Sequence, residues 1–430
     1  MNRIFVAFIV TAFLAAAWSE IGWVPDLPDA VSPMQALQDG AMGAAKTSVT
    51  LAFNLIGGMA LFLGLVKVAE DGGGLRILAR LIRPLMVRLF PEVPPDHPAM
   101  GAMILNMAAN AMGLGNAATP FGIRAMKELD KLNKSKGTAS NSMALFLAIN
   151  TSSVTILPTG VIVMREELGS QDPSGILATT LFATLCSTTV AILGCKLWQR
   201  FSAVPEPEEG DAVADDEEVV DDGIDLGGAD EGYPLWVTAV ALCVLVSVIP
   251  LTILYGDRIS VWVVPTLIVG FVGFGFVRGV AVYESFVKGA KEGFEIAVLI
   301  IPYLVAILVS IGMLRASGAL GAFVNAVGPI TAKLGLPAEA LPMAVLRPLS
   351  GSGAMGVMLD TMKTSGPDSY VGYLVSTFQG STETTFYVLA VYFGAVGVRR
   401  IRHTLVAALT ADIVGIGAAV VICSLLYGSL

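Results

Sequence analysis

The sequence contains few charged residues, few histidines and few cysteines, and each shortage narrows what the protein can be. Only 14% of the 430 residues are charged, against about 25% in soluble globular domains, which argues against a soluble enzyme. The two histidines, His97 and His403, are far apart in the sequence, so neither a zinc site nor a histidine proton relay is expected. The cysteines all lie in apolar runs, where small buried side chains are expected rather than metal ligands. They are Cys186, Cys195, Cys243 and Cys423.

Motifs for nucleotide chemistry and for hydrolysis are also missing. There is no Walker phosphate loop, no dinucleotide-binding turn and no HExxH motif, and the GLGN run at 113–116 is not followed by a Lys-Ser/Thr pair. Ser350 and Ser352 have no nearby base that would activate them as nucleophiles. We therefore expect no enzymatic activity, no cofactor, no bound metal ion and no nucleic-acid partner.

Long apolar runs fill most of the chain, which is 55% hydrophobic. In hydrocarbon only helices and closed barrels pair all of their backbone N–H and C=O groups. These runs are too long and too rich in Leu, Ala and Val for the alternating strands of a barrel. The sequence predicts an all-α polytopic membrane protein surrounded by lipid. The predicted spans are 3–18, 48–67, 141–164, 175–198, 234–252, 259–280, 296–314, 371–395 and 403–427.

The N-terminal apolar run, residues 4–17, allows two interpretations. It follows Arg3 and ends in three alanines, which would also suit cleavage by a signal peptidase. Because the rest of the chain is itself membrane-embedded, a retained first helix is favoured over a removed signal.

An acidic segment divides the chain into two membrane halves. The net charge is −9, yet thirteen acidic residues fall between Glu206 and Glu231 alone. A segment with dense like charge and no aromatic residue buries too little apolar surface to fold. We predict a membrane half at 1–200, a disordered linker at 201–232 and a second membrane half at 233–430. A functional acidic tether is the alternative for the linker.

Lysine and arginine set the expected orientation. With Arg3 inside, alternate spans place the basic stretches 76–88, 124–136 and 399–402 in the cytoplasm. The short loops at 165–174 and 253–258 then lie on the opposite side. This distribution satisfies the positive-inside rule and predicts a multi-pass protein of the bacterial cytoplasmic (inner) membrane.

The two halves share an order of features. In each half an apolar helix leads to an amphipathic helix, then to a glycine-rich segment, then to a span with a polar stretch. At an offset of 232, residues 150–153 lie over 382–385. The predicted orientation presents the first glycine-rich segment from the cytoplasm and the second from the opposite face. This is the pattern of an inverted repeat, which is typical of secondary transporters.

The glycine-rich segments, GLGN at 113–116 and SGSG at 350–353, interrupt apolar sequence at membrane depth. Glycine permits tight turns, so each predicts a re-entrant hairpin of two short helices. Close helix packing through small residues is the alternative. The free backbone ends of such a hairpin need partners, and a ligand or an ion is one candidate. The first hairpin also carries Asn106, Asn110, Asn116 and Thr119, more polar groups than packing requires.

Polar stretches follow each hairpin within a predicted span, at 150–155 and at 379–385. Glu383 is an ionisable residue inside such a span, which makes it a functional candidate by default. It would bind a coupling cation or proton, or accept hydrogen bonds from a solute. Arg347 is either its structural counter-charge or a receptor for an anionic substrate. The candidate binding residues are Asn106, Asn110, Asn116, Thr119, Asn150, Ser152, Ser153, Arg347, Ser350, Ser352, Gln379, Ser381, Thr382, Glu383 and Thr384.

Three long motifs resemble the spore maturation proteins. NMAANAMGLGNAATPFGIRAMKELD at 106–130 resembles the signature of spore maturation protein A. RPLSGSGAMGVM at 347–358 and the run GPDSYVGYLVSTFQGSTETTFYVLAVYFGAVGVRRIRH at 366–403 resemble spore maturation protein B. Both belong to the group with the nucleoside-recognition Gate domain. The resemblance covers most of both halves and identifies the chain as an end-to-end fusion.

This resemblance implies a transporter-like fold with paired Gate domains and, in spore formers, a role in dehydration of the spore core. Ser381-Thr382-Glu383 is similar to a hairpin motif with which concentrative nucleoside transporters bind substrate. The run at 150–153 is similar to their broken-helix motif. The first of these falls in a predicted long span rather than in a hairpin, and Thr384 replaces the alanine of the transporter motif.

Two functions remain open from the sequence. The leading hypothesis is a secondary transporter or permease for a small polar or anionic solute, coupled to H⁺ or Na⁺. The alternative is a membrane scaffold or regulator of envelope or spore maturation that moves nothing. A homo-oligomer is left open, and an intramembrane enzyme would need a nucleophile with a base that the sequence does not display.

Overall fold

The computed structural model describes residues 2–24, 30–113, 115–152, 154–202 and 232–428. Within them the chain is helical, and its one β feature is an isolated bridge between Thr138 and Arg400. Five described helices are long and apolar enough to cross a membrane, or six if a bent pair at 319–334 and 338–346 counts as one. The chain is therefore a multi-pass, all-α membrane protein, as predicted. The acidic linker lies almost wholly outside the described residues.

The first half forms eight described helices. They are α1 (Asn2–Glu20), α2 (Pro33–Asp71), α3 (Gly74–Leu89), α4 (Pro98–Ala111), α5 (Gly115–Lys131), α6 (Asn141–Thr151), α7 (Thr159–Glu167) and α8 (Ile176–Trp198).

The second half repeats this order among its described residues. Its helices are α9 (Leu235–Val277), α10 (Val282–Ala316), α11 (Ala319–Thr331), α12 (Leu341–Leu346), α13 (Gly351–Ser365), α14 (Tyr370–Ser381), α15 (Thr385–Gly394) and α16 (Thr404–Tyr427).

Two predicted spans, 141–164 and 371–395, are not continuous helices. Each begins at a serine N-cap, where Ser140 accepts from the Met143 N–H at 3.1 Å and Ser369 accepts from the Gly372 N–H at 3.0 Å. The first span stops after α6 and resumes at α7, behind Pro158, which supplies no backbone N–H. The second is interrupted between α14 and α15. We call these interruptions break 1 (residues 152–158) and break 2 (residues 382–384).

The predicted loop at 253–258 is helical instead, because α9 runs on from Leu235 to Val277. Pro250 and Pro265 lie within α9 on either side of residues 251–264, and proline inside a helix favours a kink. Straight, its 43 residues would extend about 65 Å. Yet Thr238 near its start donates to the Leu81 carbonyl at 2.9 Å, and Gly275 near its end packs against Val68. Both ends of α9 therefore lie beside the α2–α3 corner, and α9 must bend back on itself.

Equivalent helices of the two halves pack against each other in antiparallel pairs. In the α2–α10 pair, Gly40 lies against Gly312 at one end. At the other end the Ser285 hydroxyl donates to Asp71 at 2.7 Å. The α8–α16 pair is antiparallel in the same way. Antiparallel contact between equivalent helices is the arrangement of an inverted repeat with its axis in the membrane plane, and it confirms the predicted repeat.

The apolar core consists mainly of two clusters, each built around one hairpin. One surrounds α4 and α5 and includes Met103 and Met126. The other surrounds α12 and α13 and includes Met343 and Met358. Both clusters contain residues from both halves of the chain, so neither half completes its core alone.

The halves are also tied together at one end of the α8–α16 pair by Arg165, whose side chain is 0% exposed. Its guanidinium lies 4.1 Å from the centroid of the Tyr373 ring. It donates hydrogen bonds to groups of both halves. These are the Pro367 carbonyl (2.7 Å), Asp368 (2.9 Å), Ser376 (3.3 Å), Ser170 (3.2 Å) and the Asp172 carbonyl (3.2 Å). We call this group the Arg165 cluster.

A second inter-repeat contact lies at the opposite end of the α8–α16 pair, and we call it the Arg402 contact. Arg402 donates to the Ala139 carbonyl at 2.9 Å and to the Asn141 side chain at 3.1 Å. The Arg165 cluster joins the end of the first broken helix to the segment before the second one. The Arg402 contact joins the segment after the second broken helix to the start of the first one.

Candidate functional site

The first hairpin turns where predicted. Gly113 has a φ of +78°, a backbone conformation that favours glycine. A Cβ at this position would lie 2.7 Å from the Leu157 carbonyl oxygen. Asn106 on α4 donates to the Ala118 carbonyl on α5 at 2.7 Å and so ties the two arms together. The Ala111 carbonyl at the tip accepts from the Ile156 N–H at 3.2 Å, which places the tip against break 1.

The second hairpin turns differently from the prediction. Its turn is formed by residues 347–350, while the glycines of SGSG fall within the first turn of α13. Ser350 caps that helix and accepts from the Gly353 N–H at 3.0 Å. Gly351 does not reverse the chain but lets Thr384 pack closely against it, because a Cβ at position 351 would lie 2.8 Å from the Thr384 hydroxyl. This tip therefore packs against break 2.

Three of the predicted asparagines join one hydrogen-bond network with a tyrosine of the other repeat. The Asn110 side chain donates to the Asn150 Oδ1 at 3.0 Å. Asn106 donates to the Tyr392 hydroxyl at 3.2 Å, and that hydroxyl donates to Asn150 at 3.5 Å. Gly122 makes room for Tyr392, since a Cβ there would meet the hydroxyl at 2.2 Å. The network connects hairpin 1, break 1 and α15.

Arg347 organises break 2. Its guanidinium donates to the Thr384 hydroxyl and to the Gln379 carbonyl, each at 3.2 Å, and also to the Thr382 carbonyl. These carbonyls lie at the C-terminal end of α14, where a cation offsets the unsatisfied acceptors and the helix dipole. Glu383 is its ion-pair partner at 3.8 Å, and 49% of the Glu383 side chain is exposed while Arg347 is buried. Of the two roles left open for Arg347, the pairing with Glu383 is thus present.

The two breaks meet. The Glu383 N–H in break 2 donates to the Thr151 carbonyl at the end of α6, at 3.0 Å. The Thr188 hydroxyl on α8 donates to the Ser152 carbonyl at 2.5 Å. Thr188 lies near the middle of α8, a helix of 23 residues and about 35 Å. The meeting point, which we call the junction, therefore lies beside the middle of a helix that is long and apolar enough to cross a membrane.

Asp412 also belongs to the junction. It is 2% exposed on α16, and its Oδ2 accepts from the Thr385 hydroxyl at 2.6 Å, directly after break 2. The sequence singled out Glu383 as the acid of this region, and the structure adds a second carboxylate. Together with Arg347, the junction holds one cation and two carboxylates.

Several buried polar atoms around the junction have no hydrogen-bond partner among the described residues. In native proteins the large majority of such atoms are paired, so each exception needs an explanation. They belong to residues on α4, α8, α14 and α16 and to the second hairpin. They are Asn106 Oδ1, Thr180 Oγ1, Arg347 Nε, Gln379 Oε1, Ser381 Oγ and Asp412 Oδ1.

The remaining predicted site residues are placed as follows. Ser152 is buried and donates to the Ala148 carbonyl at 2.9 Å, and Thr382 donates to the Phe378 carbonyl at 3.0 Å, so both hydroxyls are used within their own helices. Thr119 and Ser352 are half-buried on hairpin arms. Ser153 and the side chain of Asn116 lie outside the described residues.

Asp412 at the junction and Tyr392 in the asparagine network were not among the predicted site residues. Asp412 carried a usable signal, since it is an ionisable residue within an apolar span. Tyr392 carried none, because a tyrosine among valine and phenylalanine is typical of an ordinary apolar helix. The described residues contain no group of three or more His, Cys, Asp or Glu side chains placed to hold a metal ion.

Comparison with known proteins places the chain within a family. The Gate family model, described as nucleoside recognition, matches residues 52–195 and 297–399, which is more than half of the chain. Spore maturation protein B of Bacillus subtilis strain 168 is 47% identical over 171 residues, covering 40% of this chain and 96% of that protein. Spore maturation protein A of the same organism is 45% identical over 160 residues, covering 37% of this chain and 82% of that protein. The two match different parts of the chain.

One solved structure also aligns with the chain. The crystal structure of the Alcanivorax borkumensis YdaH transporter covers 98% of this chain and 97% of that chain. The alignment has 15% sequence identity and a TM-score of 0.35, a value too low to support a conclusion about fold or function.

Proposed function

The chain belongs to the Gate nucleoside-recognition family as a fusion of spore maturation proteins A and B, and from this premise we propose that it is a secondary transporter or permease. Its solute is small and polar and crosses the bacterial cytoplasmic membrane through the junction. The transport cycle exposes the junction to one face of the membrane at a time.

The observation that carries this proposal is the set of buried, unpartnered polar atoms at the junction of two broken helices. Leaving such a group unpaired in an apolar surrounding costs about 1–3 kcal/mol. A polar solute or bound water would supply the missing partners. Broken helices at mid-membrane, where two inverted repeats meet, are the usual binding architecture of secondary transporters.

The charges at the junction favour a neutral or cationic solute over an anionic one. Arg347 was the expected receptor for an anion, but its terminal nitrogens donate to two carbonyls and a hydroxyl of break 2. The carboxylate of Glu383 is half exposed, while Arg347 is buried. A solute that approaches the exposed side of Glu383 therefore meets a carboxylate before it meets a guanidinium. Of the two solute classes left open by the sequence, the proposal takes the polar, non-anionic one.

The two inter-repeat contacts supply a means of alternating access. The Arg165 cluster and the Arg402 contact lie at opposite ends of the α8–α16 pair, and the junction lies between them. Both contacts are formed in this structure. Releasing one while keeping the other would open the junction to one side only, which is the motion that secondary transport requires.

The test is a comparison of metabolites in cells that lack the gene and carry it back on a plasmid. We expect the wild-type chain to restore the level of a polar solute, and the Glu383→Gln chain to fail, because the exposed carboxylate is lost. Glu167→Gln is the matched control, since Glu167 is an exposed acid at the end of α7. The solute so identified is then measured for flux into proteoliposomes.

Full restoration by Glu383→Gln would remove Glu383 from the mechanism. Normal metabolite levels in the deletion strain, together with absent flux for the wild-type protein, would favour the membrane scaffold instead.

A further inference from the structure

Asp412 is the most deeply buried acid of the junction. It lies on α16, where 2% of the residue is exposed. Its Oδ2 accepts from Thr385 at 2.6 Å, and its Oδ1 has no partner among the described residues. Glu383 differs, because 49% of its side chain is exposed. Of the two carboxylates, Asp412 is therefore the buried one, and its Oδ1 lacks a partner among the described residues.

The surroundings of Asp412 leave it short of positive charge. Arg347 and Glu383 are the charged groups near enough to act on it, and Arg347 directs its terminal nitrogens at break 2. Helices α6, α8 and α14 pack against α16, and the stretches beside Asp412 contribute only neutral side chains. His403, directly before α16, lies nine positions away along the chain.

An ionised carboxylate is expensive in such a place. A buried charge without a hydrogen-bonded partner is strongly disfavoured, and in membrane spans such residues are paired, hydrated or part of an ion pathway. A proton on Oδ1 removes the charge and gives that oxygen a hydrogen to donate. A metal cation would need several oxygen ligands, while the one side chain within hydrogen-bond distance of this carboxylate, among the described residues, is Thr385.

We propose that Asp412 is the proton-binding group of the junction and couples solute movement to the proton gradient. The inference rests on the proposed transport function. With Asp412 protonated, the positive charge of Arg347 and the negative charge of Glu383 cancel. With Asp412 ionised, the junction carries one uncompensated negative charge. The junction with protonated Asp412 is electrically neutral, so it can be closed off from water and reopened to the other side of the membrane at a low cost in free energy.

The proton itself is the probe for the test. Infrared spectra of the purified wild-type protein, recorded over a pH series without any solute, should contain the band of a protonated carboxyl group at neutral pH. We expect this band to be lost completely in Asp412→Asn and kept in Glu383→Gln. Asp360→Asn is the matched control, because Asp360 is a mostly buried acid that pairs with Arg315 instead, and it should also keep the band.

Thr385→Val covers the case in which Asp412→Asn does not fold. It retains the acid but removes its hydroxyl partner, so the band should persist at a changed frequency. Absence of the band in the wild type, its persistence in Asp412→Asn, or an unchanged frequency in Thr385→Val would each overturn the proposal.

The proposed proton site and the proposed transport function would be refuted by different results. A band assigned to Asp412 without any solute flux would support the proton site and refute transport. Solute flux that does not respond to an imposed pH gradient, with no carboxyl band in the spectra, would support transport and refute the proton site.

Discussion

Replacing Arg165 with methionine is expected to lower the free energy of unfolding by about 3 kcal/mol or more. Removing one partner of a buried ion pair costs on the order of 3–5 kcal/mol. Here the loss also leaves the Pro367 and Asp172 carbonyls without this donor and Asp368 without its cation. Because Pro367 and Asp368 lie about 200 positions from Arg165 in the sequence, the Arg165 cluster couples the two repeats.

The measurement is thermal or denaturant unfolding of the purified protein in a mild detergent. Arg278→Met is the control, because Arg278 is exposed and its cation lies over the Phe274 ring at 5.5 Å. That change should cost about 1 kcal/mol or less. Equal stability of the Arg165→Met and Arg278→Met proteins would show that the Arg165 cluster contributes little.

Replacing Arg347 with methionine is expected to abolish solute flux and to destabilise the protein by about 3 kcal/mol. Hydrogen bonds to a charged group contribute about 1.5–3 kcal/mol each, and the carbonyls that lose their donor lie in a buried helix end. Without the guanidinium, break 2 loses the group that holds the Gln379 and Thr382 carbonyls in place. Glu383 also loses its counter-charge.

Arg347→Lys separates charge from geometry. Lysine keeps the positive charge but lacks the planar fork that reaches several acceptors at once, so we expect part of the stability to return and little of the flux. Arg399→Met, at an exposed arginine beyond α15, is the control and should leave both unchanged. Normal flux through the Arg347→Met protein would mean that the conformation of break 2 does not matter for transport.

Local sequence features predicted the parts of the fold that depend on local chemistry. The GLGN turn and the polar stretches at 150–155 and 379–385 all act over a few residues. The inverted repeat was also predictable, because its evidence is the order of features and the distribution of basic residues. The ion pair of Glu383 with Arg347 was one of the two roles that the sequence left open for Arg347, and the structure contains it.

The features of the fold and of the site that were not predicted depend on contacts between segments far apart in the sequence. Arg165 reads as an ordinary basic residue at the end of a span, and only the fold brings residues 366–376 around it. The SGSG glycines suggested a turn, but one of them instead admits Thr384, a neighbour the sequence does not indicate. Tyr392 reaches the asparagine network only because α15 of one repeat packs against the first hairpin of the other. Break 2 is held by Arg347, which lies more than 30 positions earlier in the sequence. No residue within break 2 therefore announces it in the way that Pro158 announces break 1.

The most direct test of the central claim is the accessibility of the junction from each face of the membrane. A Ser381→Cys variant, in a protein whose four native cysteines are replaced, would be treated with a membrane-impermeant thiol reagent from either side of oriented vesicles. Ser381 is 0% exposed at the junction. Ser310→Cys is the control, because Ser310 is equally buried on α10 and donates to the Ile307 carbonyl of its own helix. We predict that residue 381 reacts from both faces while residue 310 reacts from neither. Reaction of residue 381 from one face only, or from neither, would contradict an alternating site between the repeats.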